Sequence, residues 1–237
     1  MNKSFLDLAS DPHQYDSVDI DWNKEGNTDS PTRMFYRYYL LPELDVKGKN
    51  VLDIGCGFGW LFPSLVEKGA KEVVGIEPSQ KSVAFARERY PSHNIIQSTL
   101  EGYRAERKFD VCVAVLVFEH LRDLKASLKQ TRDLLVGDGK FFLITIDYDY
   151  AMTSRFNYKM DVEKVDPVTS VTKTTRDWGM VYDICRMPSA FIEAGMEVGF
   201  KEAKDIPISP NMDTIQFVPR YRDLIGKNVA HLLVFSK

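Results

Sequence analysis

The chain has 237 residues, of which 44% are hydrophobic, so it is long enough to bury a full core within one domain. Its net charge of -3 provides no basic field that attracts phosphate backbones, so nucleic acid is not an expected partner. No apolar run is long enough to cross a bilayer, and acidic residues interrupt the N-terminus where a signal peptide needs an apolar stretch. The chain has three cysteines, an odd number without metal-ligand spacing, which favours a reducing compartment. Together these features predict a cytoplasmic protein with no membrane partner.

The predicted elements begin with a helix rich in aromatic residues over 32–44. From residue 50 onward, short apolar runs bounded by turn residues alternate with longer segments of helical period. Strands are predicted over 50–54, 72–76, 94–97, 109–115, 140–146, 200–208 and 229–236. Helices are predicted over 60–68, 79–89 and 123–136, with Gly137 as the stop of the last one. Such alternation is typical of βαβ units in a parallel sheet.

The last two predicted strands are joined by a proline-containing loop rather than by a helix, which predicts an antiparallel pair at the sheet edge. The predicted fold is therefore α/β: a seven-stranded, mostly parallel sheet with helices on both faces and an antiparallel C-terminal strand pair. Residues 1–44 and 147–187 do not follow the alternation. Within a single domain of residues 1–237, we expect both segments to cap the carboxyl ends of the strands, where open α/β sheets bind ligands.

A glycine-rich turn follows the first predicted strand. After Asp53 the chain passes through Gly55, Gly57 and Gly59 into a helix, a pattern that brings bare backbone close to a ligand at a helix N-terminus. A dinucleotide fingerprint would need its third glycine at position 60, where this chain has Trp60. The alternatives are a turn that only packs tightly, or one that holds another nucleotide.

An acidic residue, Glu77, follows the second predicted strand directly. A carboxylate at this strand tip can accept both hydroxyls of a ribose, which favours a role in ligand binding. The alternative is an acid that only stabilises the N-terminus of the following helix through the helix dipole.

Three segments together resemble the class I S-adenosylmethionine-dependent methyltransferases: Asp53 to Gly59, the acid Glu77, and the run from Asp110 that closes in Glu119-His120-Leu121. The resemblance implies S-adenosyl-L-methionine as cofactor and S-adenosyl-L-homocysteine as product. The cofactor contacts that it implies are Asp53, Gly55, Cys56, Gly57, Glu77, Pro78, Ser98, Thr99, Leu100 and Val115. Ser98 stands where the family usually has an acid for the adenine. Some members carry a metal-binding glutamate where this chain has Leu116, so no catalytic metal is expected.

Methyl transfer requires an aligned acceptor, a water-poor pocket and in some enzymes a base. His120 lies just beyond the fourth strand, and imidazole exchanges protons readily near neutral pH, which makes His120 a candidate base. The alternative is that Glu119 and His120 cap the following helix and bond backbone groups. Asp147 and Tyr148, just after the fifth strand, are further catalytic candidates, or else part of a solvated loop.

Aromatic residues of the two capping segments predict a lid that excludes water over an acceptor. The candidate substrate contacts are Tyr15, Tyr36, Tyr39, Trp178, Tyr182 and Arg186, with Arg33 and Arg37 as other candidates for an acidic group. For the aromatic helix, core packing is the alternative. The predicted function is metal-free methyl transfer by in-line displacement to an oxygen or nitrogen of a small-molecule acceptor. A protein methyltransferase, a non-catalytic S-adenosylmethionine-binding subunit, a NAD-dependent oxidoreductase and a homodimeric state are left open.

Overall fold

A computed structural model describes residues 3–17, 30–154, 158–176 and 179–237. Its main feature is a seven-stranded sheet in the order β3-β2-β1-β4-β5-β10-β9. The strands of this sheet are β1 (Asn50–Ile54), β2 (Glu72–Glu77), β3 (Asn94–Gln97), β4 (Phe109–Val115), β5 (Leu135–Ile146), β9 (Glu202–Ile208) and β10 (Ala230–Ser236). The first five are parallel, and β10 pairs antiparallel with both β5 and β9. The predicted fold is confirmed.

Helices cover both faces of the sheet because its central strands are apolar on both faces. Val51 packs into the core on one side, whereas the next residue, Leu52, packs into the core on the other. The helices are α1 (Phe5–Ala9), α2 (Pro31–Glu43), α3 (Phe62–Glu67), α4 (Gln80–Arg89), α5 (Leu124–Leu134), α6 (Tyr148–Ala151) and α7 (Pro188–Glu197). Phe35 of α2 belongs to the first core, and Leu128 of α5 and Phe191 of α7 belong to the second. None of the helices in the described ranges is long and apolar enough to cross a membrane.

Two helical predictions differ from the structure. Helix α5 ends at Leu134, and strand β5 begins at the next residue, so Gly137 lies inside the strand and does not stop the helix. Tertiary packing explains the difference, because Leu135 is fully buried and pairs with Phe109 of β4. The chain therefore becomes extended at Leu135, before the point at which the helical periodicity ends. Helix α7 was not predicted, although Pro188 at its first position is a typical start signal.

The segment after β5 folds into a second, three-stranded antiparallel sheet in the order β6-β7-β8. Its strands are β6 (Lys159–Asp166), β7 (Thr169–Arg176) and β8 (Gly179–Arg186). Helix α1 packs on this sheet through Ala9, which forms a small apolar cluster with Val171 and Ile184. The sheet and residues 3–17 therefore form one layer, here called the cap.

Candidate active site

One large cavity opens at the carboxyl ends of strands β1 to β4, with a volume of about 1120 Å³. The strand ends contribute Gly55, Glu77, Ser98 and Val115 to its wall. The opposite wall comes from the cap and from the start of α2. The cavity thus lies where open α/β sheets bind their ligands.

The glycine turn forms the floor of the cavity, and its three glycines, Gly55, Gly57 and Gly59, all have a positive φ that other residues avoid. Gly55 has a φ of +63°, and a Cβ placed on it would lie 2.5 Å from Val117 Cγ2. Gly57 has a φ of +56°, but a Cβ there would meet no atom within 4 Å. Gly55 therefore allows the close approach of β4, whereas Gly57 leaves open space beside the backbone.

Glu77 is held by the backbone of the turn and of the next helix. Its Oε2 accepts a hydrogen bond from the Gly57 N–H at 3.0 Å, and its Oε1 accepts one from the Ser79 N–H at 2.8 Å. Burial raises the pKa of Glu77, and these two hydrogen bonds oppose that shift. Each oxygen keeps a further lone pair that can accept a ligand hydroxyl.

Asp53 lies beneath the turn and is only 3% exposed. Burial, followed by the charge of Glu77, raises the pKa of Asp53 to about 8. Its Oδ2 is buried and has no hydrogen-bond partner in the described part of the chain. A buried carboxyl without a counter-charge is costly, so a cationic group nearby would be stabilising here.

Eight of the ten predicted cofactor residues line the cavity, and Asp53 and Cys56 do not. Cys56 Sγ turns away from it and fills the space beside Gly75, where an added Cβ would lie 2.5 Å from the sulfur. Its thiol is buried, which raises the pKa of Cys56 well above the ordinary value. Only backbone atoms of Cys56 are thus available near a ligand. Ser98 lines the cavity, and its hydroxyl donates to the Thr99 carbonyl at 2.9 Å.

The end of β4 turns sharply into the cavity at Leu116, which has a φ of +54°. This left-handed conformation is costly for a residue with a branched side chain. The Leu116 N–H donates to the Ile144 carbonyl at 2.9 Å, which holds the turn against β5. Val115, Leu116 and Val117 together give this side of the cavity an apolar wall.

Glu119 is buried beneath this wall and bonds β5. Its Oε1 accepts hydrogen bonds from Thr145 Oγ1 at 2.8 Å and from the Ile146 N–H at 2.9 Å. Its Oε2 is buried without a partner among the described residues, and burial raises the pKa of this carboxyl. Glu119 therefore bonds a backbone group, which agrees with one part of the alternative given for Glu119 and His120. The helix cap itself comes from Asp123, which accepts from the Ala126 N–H.

His120 reaches the cavity and is bonded on both ring nitrogens. Nδ1 lies 3.0 Å from Gln14 Nε2, and Nε2 lies 3.2 Å from the Tyr15 hydroxyl. Asp183 Oδ1 of β8 is 3.9 Å from Nε2. The imidazole thus stands between the end of β4 and the cap.

The other two predicted catalytic residues do not line the cavity. Asp147 begins α6 by accepting from the Tyr150 N–H, and its second oxygen lies 3.0 Å from His231 Nε2. Tyr148 places its hydroxyl 2.7 Å from Ser170 Oγ of β7. Asp147 thus contacts β10 and Tyr148 contacts the cap sheet, so the structure gives both side chains contacts within the fold and away from the cavity.

Among the predicted substrate contacts, Tyr15 and Tyr36 line the cavity, whereas Tyr39 and Tyr182 do not. The Tyr39 hydroxyl donates to the Ser209 carbonyl, so its polar end is bound on the far side of α2. Tyr182 stacks edge-on against a ring of α1, with 5.5 Å between the centroids. Trp178 lies outside the described residues.

Arg186 does not reach the cavity and is 5% exposed. Its guanidinium donates to the carbonyls of Phe118, Leu121 and Arg122 at 2.8 to 3.0 Å. Burial lowers the pKa of Arg186. Arg186 was predicted to contact the substrate, but in the structure its side chain links β8 to the turn that carries His120.

Several cavity residues were not predicted. Arg176 and Tyr158 come from the cap, and Arg220 comes from the loop between β9 and β10. Arg220 donates to Thr32 Oγ1 at 2.8 Å, beside Arg33, which lies 4.6 Å from the Phe58 ring centroid and was among the candidates for an acidic group. Spacing in the sequence could not indicate this group, because its members lie far apart along the chain.

The fold and the cavity define an α/β protein with a large cavity at a glycine turn, where open α/β sheets bind their ligands. A family described as a methyltransferase domain matches residues 30–190. The chain is 28% identical over 189 residues to the ubiquinone biosynthesis O-methyltransferase of Neisseria meningitidis serogroup C (strain 053442), an alignment that covers 75% of this chain and 76% of that protein. It is 29% identical over 143 residues to the tRNA U34 carboxymethyltransferase of Alteromonas mediterranea, with coverage of 56% and 40%.

Among solved structures, the S-adenosylmethionine dependent methyltransferase of Mesorhizobium loti superposes with a TM-score of 0.69 at 20% identity, covering 89% of this chain and 100% of that chain. Because the family match spans well over half of the sequence, this protein belongs to the methyltransferase domain family, as the resemblance predicted. Membership makes it a methyltransferase of the S-adenosylmethionine-dependent class and removes the NAD-dependent oxidoreductase as an alternative.

Proposed function

We propose that the protein transfers a methyl group from S-adenosyl-L-methionine to an oxygen or nitrogen of a small-molecule acceptor, by in-line displacement and without a metal. The cavity carries the proposal. Pockets for one drug-sized ligand are typically about 300 to 1,000 Å³. At about 1120 Å³, this cavity has room for a cofactor and a small acceptor side by side.

The residues around the glycine turn fit this cofactor. Glu77 has both oxygens fixed by backbone N–H groups and can accept the two ribose hydroxyls. The open space beside Gly57 admits a ligand against the backbone. Asp53 does not line the cavity, but the positive amino group of the methionine part, bound against the turn, would supply the counter-charge that this buried carboxyl lacks.

When bound, the cofactor supplies a methyl group on a positively charged sulfur, which leaves as the neutral thioether S-adenosyl-L-homocysteine. The chain has to orient the acceptor opposite that sulfur and keep water away. The apolar wall of Val115, Leu116 and Val117 suits the second task. Tyr15, Tyr36 and the cavity arginines supply polar groups that can orient an acceptor.

The residues at the end of β4 support a metal-free reaction. Leu116 has no ligand atom at the position where metal-dependent relatives need a carboxylate. Glu119 has one oxygen committed to Thr145 and Ile146 of β5. In-line displacement from a sulfonium needs alignment more than a Lewis acid, so the remaining groups suffice.

A small acceptor, rather than a macromolecule, is supported by two observations. The Neisseria relative is named as an enzyme of ubiquinone biosynthesis and aligns over three quarters of both proteins. The tRNA-modifying relative aligns over only 40% of its own length, and the net charge of -3 does not favour an RNA surface.

Calorimetric titration with S-adenosyl-L-homocysteine and with NAD tests the cofactor site. We expect only the first to bind, and Glu77→Gln to weaken it by at least about tenfold, because a carboxylate acceptor is lost. Glu67→Gln, an exposed residue at the end of α3, is the matched control and should change nothing. Binding of NAD alone, or equal affinity in Glu77→Gln, would refute the assignment.

The acceptor class is tested by incubating the protein with methyl-labelled S-adenosyl-L-methionine and three separate pools: a small-molecule filtrate, total tRNA and total protein. We expect label to enter only the filtrate. Label in tRNA or protein would make the acceptor a macromolecule, and no label in any pool would favour a non-catalytic binding subunit.

A further inference from the structure

The segment Gln14–Ser17 lines the cavity through Gln14 and Tyr15, and these two residues supply the hydrogen-bond partners of the His120 ring. One partner is an amide and the other is a phenol, so the position of the ring proton decides the direction of every hydrogen bond in this group. That position follows from the contacts of Gln14.

Gln14 has its amide orientation fixed by two backbone groups. Its Nε2 donates to the Ala9 carbonyl at 3.0 Å, and its Oε1 accepts from the Tyr182 N–H at 3.2 Å. The flipped amide would set oxygen against oxygen and N–H against N–H at these two contacts. Nε2 is therefore the atom that faces His120, and it can only donate.

His120 Nδ1 consequently accepts a hydrogen bond from Gln14 at 3.0 Å and carries no proton. The neutral ring must then carry its proton on Nε2, which donates to the Tyr15 hydroxyl oxygen at 3.2 Å. A second ring proton would have to sit on Nδ1, pointing at the Gln14 N–H. The lone pair of Nδ1, which a general base would need, is thus already occupied by the Gln14 N–H.

Tyr15 accepts from His120 and keeps its own hydroxyl hydrogen. Burial, followed by the charge of Asp183, raises the pKa of Tyr15, so the phenol stays protonated. No described residue offers an acceptor within hydrogen-bonding distance of that hydrogen. The charges that act on the phenol are those of Asp183, Arg176, Glu119 and Glu77, and Tyr15 lines the cavity.

We infer that Gln14 is a positioning residue: it holds His120 in the form protonated on Nε2, so that Tyr15 donates its hydroxyl hydrogen to an oxygen of the methyl acceptor. This assignment rests on the proposed function. A neutral amine nitrogen has one lone pair, and a hydrogen bond from Tyr15 would occupy the pair needed for attack. An oxygen accepts the hydrogen bond with one lone pair and attacks with another.

The chemistry of transfer then restricts the acceptor further. A bond forms from the acceptor oxygen to the methyl carbon while the bond from that carbon to sulfur breaks. Because both ring nitrogens of His120 are engaged by Gln14 and Tyr15, the proton of the acceptor oxygen must leave for solvent before transfer. The acceptor is thus an oxygen that is already ionised at neutral pH, as in a carboxylate or the anion of an acidic phenol, and a hydrogen bond from Tyr15 stabilises it.

Nitrogen NMR of histidine-labelled protein tests the position of the proton, read above about pH 8, where imidazole is neutral. The chain has four histidines, and His120→Gln identifies the signals of interest. In the wild type we expect the proton on Nε2. In Gln14→Glu, whose carboxylate can only accept, we expect it on Nδ1. Gln97→Glu, an exposed change of the same kind at the end of β3, should leave it on Nε2. A proton on Nδ1 in the wild type, or no change in Gln14→Glu, would overturn the assignment.

Calorimetry supplies a second test, which depends on Tyr15→Phe and does not require Gln14→Glu to fold. Protein saturated with S-adenosyl-L-homocysteine is titrated with benzoate, which offers oxygen, and with benzylamine, which offers nitrogen and has a similar shape. We expect Tyr15→Phe, and Gln14→Glu where it folds, to weaken benzoate by about tenfold or more while benzylamine is unaffected. The cavity arginines favour benzoate in every variant, so the change on substitution decides. Undetectable benzoate binding, or equal binding in Tyr15→Phe, would overturn the proposal. Failure of the cofactor site would appear separately, as absent S-adenosyl-L-homocysteine binding in the wild type.

Discussion

The two walls of the cavity are built in different ways. The wall at the glycine turn depends on backbone geometry and short sequence separations: Gly57 and Ser79 bond Glu77 across 20 and 2 residues. The cap wall depends on side chains that meet from distant parts of the chain. Gln14 reaches His120 across 106 residues and Tyr182 across 168.

This difference matches the two tasks of the cavity, which are to hold a cofactor common to the family and to recognise an acceptor particular to each enzyme. A cofactor shared by a whole family can be held by backbone groups, which constrain few side chains. An acceptor that differs between enzymes has to be recognised by side chains that can vary, and loops and caps supply them. Substitutions at the turn should therefore damage folding and cofactor binding, and substitutions in the cap should damage acceptor binding.

The largest effect is expected for Gly55→Ala. A left-handed φ costs an alanine about 1–2 kcal/mol, and the overlap with Val117 adds about 1–3 kcal/mol. We expect urea unfolding to show a loss of stability of about 2–5 kcal/mol, with S-adenosyl-L-homocysteine binding largely lost.

Two glycines serve as controls for Gly55→Ala, because each has a positive φ and open space around it. Gly48→Ala, away from the cavity, should cost only the backbone term of about 1–2 kcal/mol and leave binding intact. Gly57→Ala should cost a similar amount of stability and yet lose binding. Equal stability in Gly55→Ala and Gly48→Ala would show that the contact with Val117 does not matter.

Arg186→Met should have the next largest effect, and it concerns the cap. It leaves the buried Phe118 carbonyl and the partly buried Leu121 and Arg122 carbonyls without their donor, so we expect a loss of about 2–3 kcal/mol and a fall in Tm of about 5–10 °C. Arg122→Met is the control, since its exposed side chain bonds Asp7 at the surface, where solvent screens the ion pair, and Tm should stay close to that of the wild type. A Tm unchanged in Arg186→Met would mean that the cap does not depend on this link.

The main sheet could be predicted from the sequence because each strand carries a local signal. Asn50–Ile54, Asn94–Gln97 and Phe109–Val115 have the same bounds as predicted. The cap sheet could not be predicted in this way. Strand β6 is largely exposed and β7 is rich in threonine, so neither has the apolar alternation that marks a strand. The β-branched residues of β7 were the one available signal.

The residues of the candidate site also fall into two groups, those that local spacing could predict and those that depend on tertiary packing. The turn from Gly55 to Gly57 and the acid Glu77 lie within one βαβ unit, and their spacing is enough to place them together. Arg186 and Asp147 have residue types that suit a site, but their contacts with carbonyls and with His231 depend on tertiary packing. Polar residues near a strand end are thus ambiguous until the fold shows whether the chain itself satisfies them.

The next prediction concerns pH and the buried acid of the turn. The pKa of Asp53 is raised to about 8 from an ordinary value of 3.8, so the folded state keeps a proton that the unfolded state loses between these values. Stability must therefore fall as pH rises through this window, by at most about 1.4 kcal/mol per pH unit from this group. We expect Asp53→Asn to flatten the fall in urea unfolding between about pH 5 and about pH 8. The control is Asp45→Asn, which removes an exposed acid whose pKa is lowered by Lys49 and should not flatten the fall. An equally steep fall of stability in Asp53→Asn and in the wild type would refute the assignment.

The smallest effect is expected at Asp16, which joins the two walls. Its carboxylate accepts from Ser79 Oγ at 2.6 Å and from the Lys81 N–H at 3.4 Å, at the N-terminus of α4. Burial raises the pKa of Asp16, but its hydrogen bonds outweigh burial and leave the pKa below the ordinary value. The side chain is therefore ionised and interacts favourably with the helix dipole.

Asp16→Asn keeps an acceptor oxygen and removes the charge, so we expect a loss of about 0.5–1 kcal/mol in the docking of residues 3–17. Limited proteolysis should then cut this segment about two- to fivefold faster, because cleavage follows the population of the undocked form. Asp11→Asn in the same segment should not change the rate, because Asp11 bonds an exposed lysine and the His13 N–H, and an asparagine oxygen can still accept the second hydrogen bond. If both variants were cut at the wild-type rate, the charge of Asp16 would not hold the segment, and the Gln14 and Tyr15 contacts with His120 would have to dock it by themselves.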